Sequence, residues 1–169
     1  MPVKESLQKK LKDVKLLILD VDGVLTDNGV YIDSDGDEMK KFNIQDGFGI
    51  YLVQRAGVQV ALLSGRYSKS TEYRAQELKI QYVYNGHTDK LKAYEELKEK
   101  LLFKNEEIAF VGDDLPDLPV LNEAGIALTV SNAQSEVKKV AEYVTKASGG
   151  HGAVREIVNL ILKAKKFKY

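Results

Sequence analysis

The chain has 169 residues, of which 44% are apolar, enough for one hydrophobic core and too few residues for several domains. Its 25 basic and 25 acidic side chains cancel, so no global field draws it to nucleic acid or to an anionic membrane, and neither is expected as a partner. Cysteine is absent, which excludes disulfides, thiolate metal sites and cysteine nucleophiles; with no secretory-type apolar stretch in the first fifteen residues and no run of the roughly 18 apolar residues that span a membrane, a cytoplasmic location is expected.

Short apolar runs alternate with stretches of helical period, the pattern of βα units around a mostly parallel sheet. Strands are predicted at residues 16–20, 58–63, 82–84, 108–111, 126–129 and 143–145, and helices at 46–56, 68–78, 89–102, 116–124, 135–141 and 153–164. Within the third helix Leu91, Tyr94, Leu97 and Leu101 recur at helical spacing, which places them in the core. One insertion breaks the alternation: residues 29–33 and 38–42 flank an Asp-Gly step, so a β-hairpin of about residues 29–43 follows the first strand. Asp33, Asp35 and Asp37 are spaced like the first half of an EF-hand loop, but Gly36 stands fourth instead of sixth and Ile44 is twelfth, so they read as a solvated turn. The whole chain, 1–169, is expected to form one domain, with a tail from about residue 148.

The chemistry gathers at the ends of the predicted strands, where open α/β sheets bind ligands. In LLILDVDGVLT (16–26), Asp20 and Asp22 are two residues apart, so both carboxylates can approach one reacting centre. Phosphoryl transfer needs an in-line nucleophile and a proton donor for the leaving oxygen, roles that Asp20 and Asp22 can divide, while Gly23 and Val24 offer backbone N–H groups to a phosphate. Taken alone, the pair is equally compatible with a turn cap. In VALLSGR (60–66), Ser64 follows an apolar strand and reads either as a phosphate ligand or as a helix cap. Lys90, in YNGHTDK (84–90), opens a helix whose dipole disfavours a cation, which hints at a bound anion; alone it reads as a solvated charge. In IAFVGDDLPDLPV (108–120), Asp113, Asp114 and Asp117 crowd one strand end, and like charges there call for a cation, Mg²⁺ by its preference for carboxylates.

Asp20-Val21-Asp22-Gly23, Ser64, Lys90 and Gly112-Asp113-Asp114, in this order, resemble the haloacid dehalogenase superfamily of phosphotransferases. DVDGVLTDNGVY, QDGFGIYLVQRAG, LLSGRYS, RAQELKI, GDDLPDLPVL and GGHGAVREIVNLIL narrow the likeness to its phosphatases of eight-carbon sugar-acid 8-phosphates, which serve lipopolysaccharide precursor synthesis. The resemblance implies a Rossmann-like core with only a hairpin in place of a cap domain, and homotetramers whose active sites lie near subunit interfaces. It implies Asp20 as nucleophile, Asp22 as general acid/base, and Mg²⁺ held by Asp20, the Asp22 carbonyl and Asp113. Ser64 and Lys90 then bind phosphate, and Asp114 and Asp117 orient metal-bound water or Lys90. Arg66 stands close enough to Ser64 to reach the carboxylate of a sugar acid, or else forms a surface salt bridge; Arg74 pairs either with such a group or with Glu77. Residues 148–156, SGGHGAVRE, read as an anion-binding helix N-terminus, a lid or a plain helix entrance, and His151 as a solvated loop residue. A phosphatase of nine-carbon sugar acids and a noncatalytic oligomerisation module of the same fold remain as alternatives.

Overall fold

The apolar runs assemble into one six-stranded sheet in the computed structural model, which describes residues 5–168. In chain order the elements are α1 (Glu5–Asp13), β1 (Leu16–Leu19), β2 (Tyr31–Ile32), β3 (Glu38–Met39), α2 (Ile44–Arg55), β4 (Gln59–Ser64), α3 (Lys69–Glu77), β5 (Tyr82–Asn85), α4 (Lys90–Leu101), β6 (Ile108–Gly112), α5 (Leu118–Glu123), β7 (Ile126–Thr129), α6 (Ser135–Val140), β8 (Tyr143–Val144) and α7 (Ala153–Ala164). The sheet order is β5-β4-β1-β6-β7-β8 and every pairing in it is parallel, where the sequence reading expected mostly parallel strands.

Burial explains the sequence pattern of the central strands. Every residue of β1 and of β6 is buried although successive side chains point to opposite faces, so helices must cover both sides. On the helical layers, α7 packs on α1 and α2, and α5 packs between α4 and α6. Phe110, at the centre of β6, is wholly buried; removing such a side chain from water contributes about 1.5–3 kcal/mol. Chain order reverses at β1, which has β4 on one side and β6 on the other, and this opens a crevice at the carboxyl ends of these strands.

Two elements differ from the sequence reading. Helix α1 was not predicted, because only Leu7 and Leu11 mark its buried side within a lysine-rich stretch. The hairpin strands are two residues each, shorter than predicted, because Asp33 takes over the turn: its Oδ1 accepts the amides of Asp35 and Asp37 at 3.0 and 2.9 Å.

The segment before α7 is tied to α2. The residue before helix α7, Gly152, has φ of 98° and no side chain to cap the helix. The cap comes from α2: the buried Asp46 carboxylate accepts the amides of Gly152 at 3.2 Å and Arg155 at 2.7 Å. That helix N-terminus is therefore filled by the protein's own carboxylate. Burial pushes the Asp46 pKa up, against the pull of the amides it accepts. We expect Asp46→Ala to lower stability by about 2–3 kcal/mol, the cost of losing hydrogen bonds to a charged group; urea unfolding measures it, and an unchanged midpoint would remove Asp46 as the cap.

Candidate active site

At the end of β1 the ladder extends one residue further, the Asp20 amide donating to the Val111 carbonyl at 2.9 Å. The chain then turns sharply, with the amides of Leu25 and Thr26 both donating to the Val21 carbonyl. Gly23 sits inside this turn at φ of 88°, and a Cβ there would lie 2.0 Å from Asp113 Oδ2. Only glycine lets the turn and β6 approach this closely. The two amides expected to face a phosphate are engaged within the turn instead, Gly23 N–H with Thr26 Oγ1 at 3.2 Å and Val24 N–H with the Val21 carbonyl at 3.4 Å. Gly23 thus acts here through its conformation.

A second glycine pair presses on the same turn from behind. A Cβ at Gly149 would come within 1.8 Å of the Gly23 carbonyl oxygen, and the Gly150 amide donates to the Val24 carbonyl at 3.1 Å. Asn132 joins the two segments, accepting the Gly149 amide at 2.7 Å and donating to the Gly23 carbonyl at 3.3 Å.

Lys90 reaches the turn from the first residue of α4. Its side chain is almost fully buried, with Nζ 2.9 Å from Asp20 Oδ1 and 2.6 Å from Asp117 Oδ1. The cation at this helix N-terminus is offset by two carboxylates of the chain. Burial opposes the ammonium, yet Asp20 and Asp117 outweigh it and raise the Lys90 pKa. The other Asp117 oxygen accepts the amides of Asp113 at 2.9 Å and Asp114 at 3.1 Å, so this wholly buried side chain ties β6 to Lys90. Asp114 caps the following 3₁₀ turn by accepting the Leu115 amide at 2.7 Å.

Oxygens of Asp20, Asp113 and Asp117 lie within 4.8 Å of one another. Asp113 Oδ1 is buried with no hydrogen-bond partner. That orphaned oxygen, beside Asp20, is what a divalent cation fits; Asp117 already has both oxygens occupied and serves as an anchor. Desolvation and mutual repulsion raise the pKa of Asp20 to about 7 and that of Asp113 to about 8.

Ser64 is buried at the end of β4, its hydroxyl donating to the Arg66 carbonyl at 2.9 Å. Asp20, Asp22, Ser64, Arg66, Lys90, Asp113, Asp114 and Asp117 line one cleft of about 210 Å³, which brings together every side chain singled out in the sequence as a catalytic, phosphate or metal residue. A larger cleft of about 460 Å³, lined by Tyr51, Arg55, Lys79 and Tyr82, lies at the opposite ends of β4 and β5 and gathers no convergent acids. Arg66 is half exposed at the rim, paired with Glu38 and 3.9 Å from Asp22. Arg74 instead pairs with Glu77 at 2.6 Å and donates to the Asn43 carbonyl at 3.1 Å. His151 is exposed, its Nδ1 2.9 Å from the Gly149 carbonyl.

Sequence reasoning missed Lys40, whose Nζ lies 2.6 Å from Asp22 Oδ1. The available sign was its place within residues 38–42, the predicted second hairpin strand beside the acidic turn.

The raised carboxyl pKa values make a checkable statement. Without a cation, Asp20 and Asp113 keep their protons in the folded chain far above the ordinary value of 3.8. The resulting stability is fully present below about pH 4 and lost as pH rises through about 7 to 8. A cation displaces those protons, so the rise in melting temperature on adding Mg²⁺ to EDTA-treated protein is expected to be larger at pH 8 than at pH 6. Thermal scans at the two pH values decide it; a larger rise at pH 6 would contradict the assignment.

Comparison with known proteins agrees with this geometry. The family model for haloacid dehalogenase-like hydrolases matches residues 80–157. The chain is 42% identical over 163 residues to the 3-deoxy-D-manno-octulosonate 8-phosphate phosphatase KdsC of Escherichia coli, covering 96% of this chain and 87% of the relative. The Moraxella catarrhalis 3-deoxy-D-manno-octulosonate 8-phosphate phosphatase, solved in complex with magnesium ion, phosphate ion and KDO, superposes with a TM-score of 0.93 at 40% identity, over 95% of this chain and 92% of that one. The Yersinia pestis phosphatase of the same name gives 0.96 at 41%, over 98% and 89%. At this identity and coverage, the chain belongs to the haloacid dehalogenase-like family of 3-deoxy-D-manno-octulosonate 8-phosphate phosphatases.

Proposed function

We propose that this chain is a Mg²⁺-dependent phosphatase that hydrolyses 3-deoxy-D-manno-octulosonate 8-phosphate to KDO and inorganic phosphate, with Asp20 as nucleophile and Asp22 as general acid and base. The observation that carries the reading is the buried contact of Lys90 with Asp20 and Asp117 beside the orphaned Asp113 oxygen. A buried cation and three convergent carboxylates are costly in a purely structural module. They suit a site that takes up a charged ester and a metal ion.

Asp20 attacks phosphorus as the ester P–O bond breaks, and Asp22 gives its proton to the departing sugar oxygen. Water then attacks the phosphorus of the aspartyl phosphate, the Asp20–P bond breaks, and Asp22 takes the proton. Lys90 and Ser64 face the phosphoryl oxygens and offset their charge. Asp20, Asp113 and the Asp22 backbone carbonyl are the groups to hold Mg²⁺, which when bound supplies further neutralisation of the phosphoryl oxygens. Arg66, at the rim, is placed to meet the substrate carboxylate, and Asp114 to orient water at the acidic strand end.

The reading includes a cytoplasmic setting, a place in lipopolysaccharide precursor synthesis and a homotetramer. Exposed apolar residues of the hairpin support the last. Val30, Tyr31, Ile32 and Met39 are all exposed, as are Ile44, Phe48 and Tyr51 in α2, apolar surface of the kind that copies of a chain cover.

Asp20→Asn is expected to lower Mg²⁺-dependent phosphate release roughly a thousandfold or more, and unchanged turnover would refute the nucleophile. Parallel kcat/KM values on the eight-carbon and nine-carbon sugar-acid phosphates measure the preference, expected to favour eight carbons. Light scattering is expected to give about four times the 18.9 kDa of one chain; an active monomer would remove the shared-site reading.

A further inference from the structure

Lys40 has no part in the steps above, yet its surroundings are unusual for a lysine. Glu38 in β3 and Lys40 just beyond it both turn toward Asp22 and Arg66, while Met39 between them is 57% exposed. Lys40 Nζ stands 2.6 Å from Asp22 Oδ1 and 3.8 Å from Glu38 Oε1, and its side chain is only 3% exposed. A lysine removed from water to this extent is not a solvated surface charge. Its choice of partner is informative too. Glu38 Oε1 is buried with no hydrogen-bond partner, although it lies only two residues away; Lys40 is committed to Asp22 instead.

That contact occupies one oxygen of Asp22. The other, Oδ2, has Arg66 Nε at 3.9 Å, beyond hydrogen-bonding distance. It is thereby left as the oxygen that exchanges a proton. We propose that Lys40 is a positioning residue, which fixes the Asp22 carboxylate in the orientation that receives a proton from water during hydrolysis of the aspartyl phosphate. The inference rests on the assignment of Asp20 and Asp22 given above. The ion pair corresponds to Asp22 after it has given its proton to the sugar oxygen. In the step that follows, the water oxygen bonds to phosphorus, the Asp20–P bond breaks, the water proton passes to Asp22 Oδ2, and inorganic phosphate leaves. Because the hairpin carries Lys40, a segment outside the sheet sets the geometry of a group within it.

The two half-reactions can be separated with p-nitrophenyl phosphate, whose leaving group departs without protonation, so the first half does not draw on Asp22. In Lys40→Met, with Mg²⁺ present, rapid mixing is expected to show a burst of nitrophenol near one per active site. Steady turnover slower than that of the unmodified enzyme by roughly 10²-fold should follow, and acid quenching should recover phosphate on Asp20. A general loosening of the site would slow the burst and the steady rate alike, and that outcome would overturn the proposal, as would unchanged rates in both phases. Lys40→Gln, neutral but polar, carries the same test should the methionine variant not fold. Asp22→Asn separates the two layers of the argument. If it accumulates phosphate on Asp20 and the folded Lys40 variants do not, the role of Lys40 is wrong; if none of them does, the covalent assignment of Asp20 is wrong.

Discussion

The site depends on charge balance at the carboxyl end of the sheet. Three carboxylates, Asp20, Asp113 and Asp117, converge there, and one ammonium, Lys90, lies between two of them. At an effective dielectric near 20, unit charges 4 Å apart interact by about 4 kcal/mol, so neither the attraction nor the repulsion is small on the scale of folding stability. Three negative charges against one positive leave two, the charge of a divalent cation. In its absence the chain settles the account through protons, which is why the Asp20 and Asp113 carboxyls are pushed so far up. Acid strength, metal demand and the placement of Asp20 are one electrostatic problem here.

The fold answers that problem with neighbouring strands and close backbone approach. β1 and β6 are adjacent, so Asp20 and Asp113 leave the sheet side by side. Gly23 allows the turn after β1 to bring its backbone against the Asp113 carboxylate, and Asp117 fastens the acidic loop to Lys90 while accepting two of its amides. β4 delivers Ser64 from the other side of β1. No side chain of this set is held by a long or isolated loop. Each sits within a few residues of a strand end.

The strands and their acidic ends were readable from the sequence because both follow from local rules. An apolar run such as 108–111 ending in Gly112-Asp113-Asp114 declares a strand and its exit together. All six sheet strands were placed within about two residues, and the parallel arrangement followed from the alternation with helices. What remained hidden was set by tertiary contact. α1 shows too few apolar residues to announce itself, and its buried Leu7 and Leu11 acquire meaning only against α7. The glycines near residue 150 left an anion site, a lid and a plain helix entrance all open, because nothing local reveals that Asp46, over a hundred positions earlier, already occupies that helix start. Lys40 was hidden for the same reason: a lysine beside a turn is normally solvated, and only the folded hairpin turns it onto Asp22. Lys90 was found by its odd position at a helix N-terminus, yet its partners proved to be the chain's own carboxylates.

The glycines at 149 and 150 tie the segment before α7 to the turn that follows β1. The groups that seat this turn are the Asn132 side chain and the backbone of residues 149–150, and the α7 start just beyond them is capped from α2. A side chain added at position 149 would press on the Gly23 carbonyl, so a substitution over a hundred positions away would displace the DVDG turn without altering any residue in it.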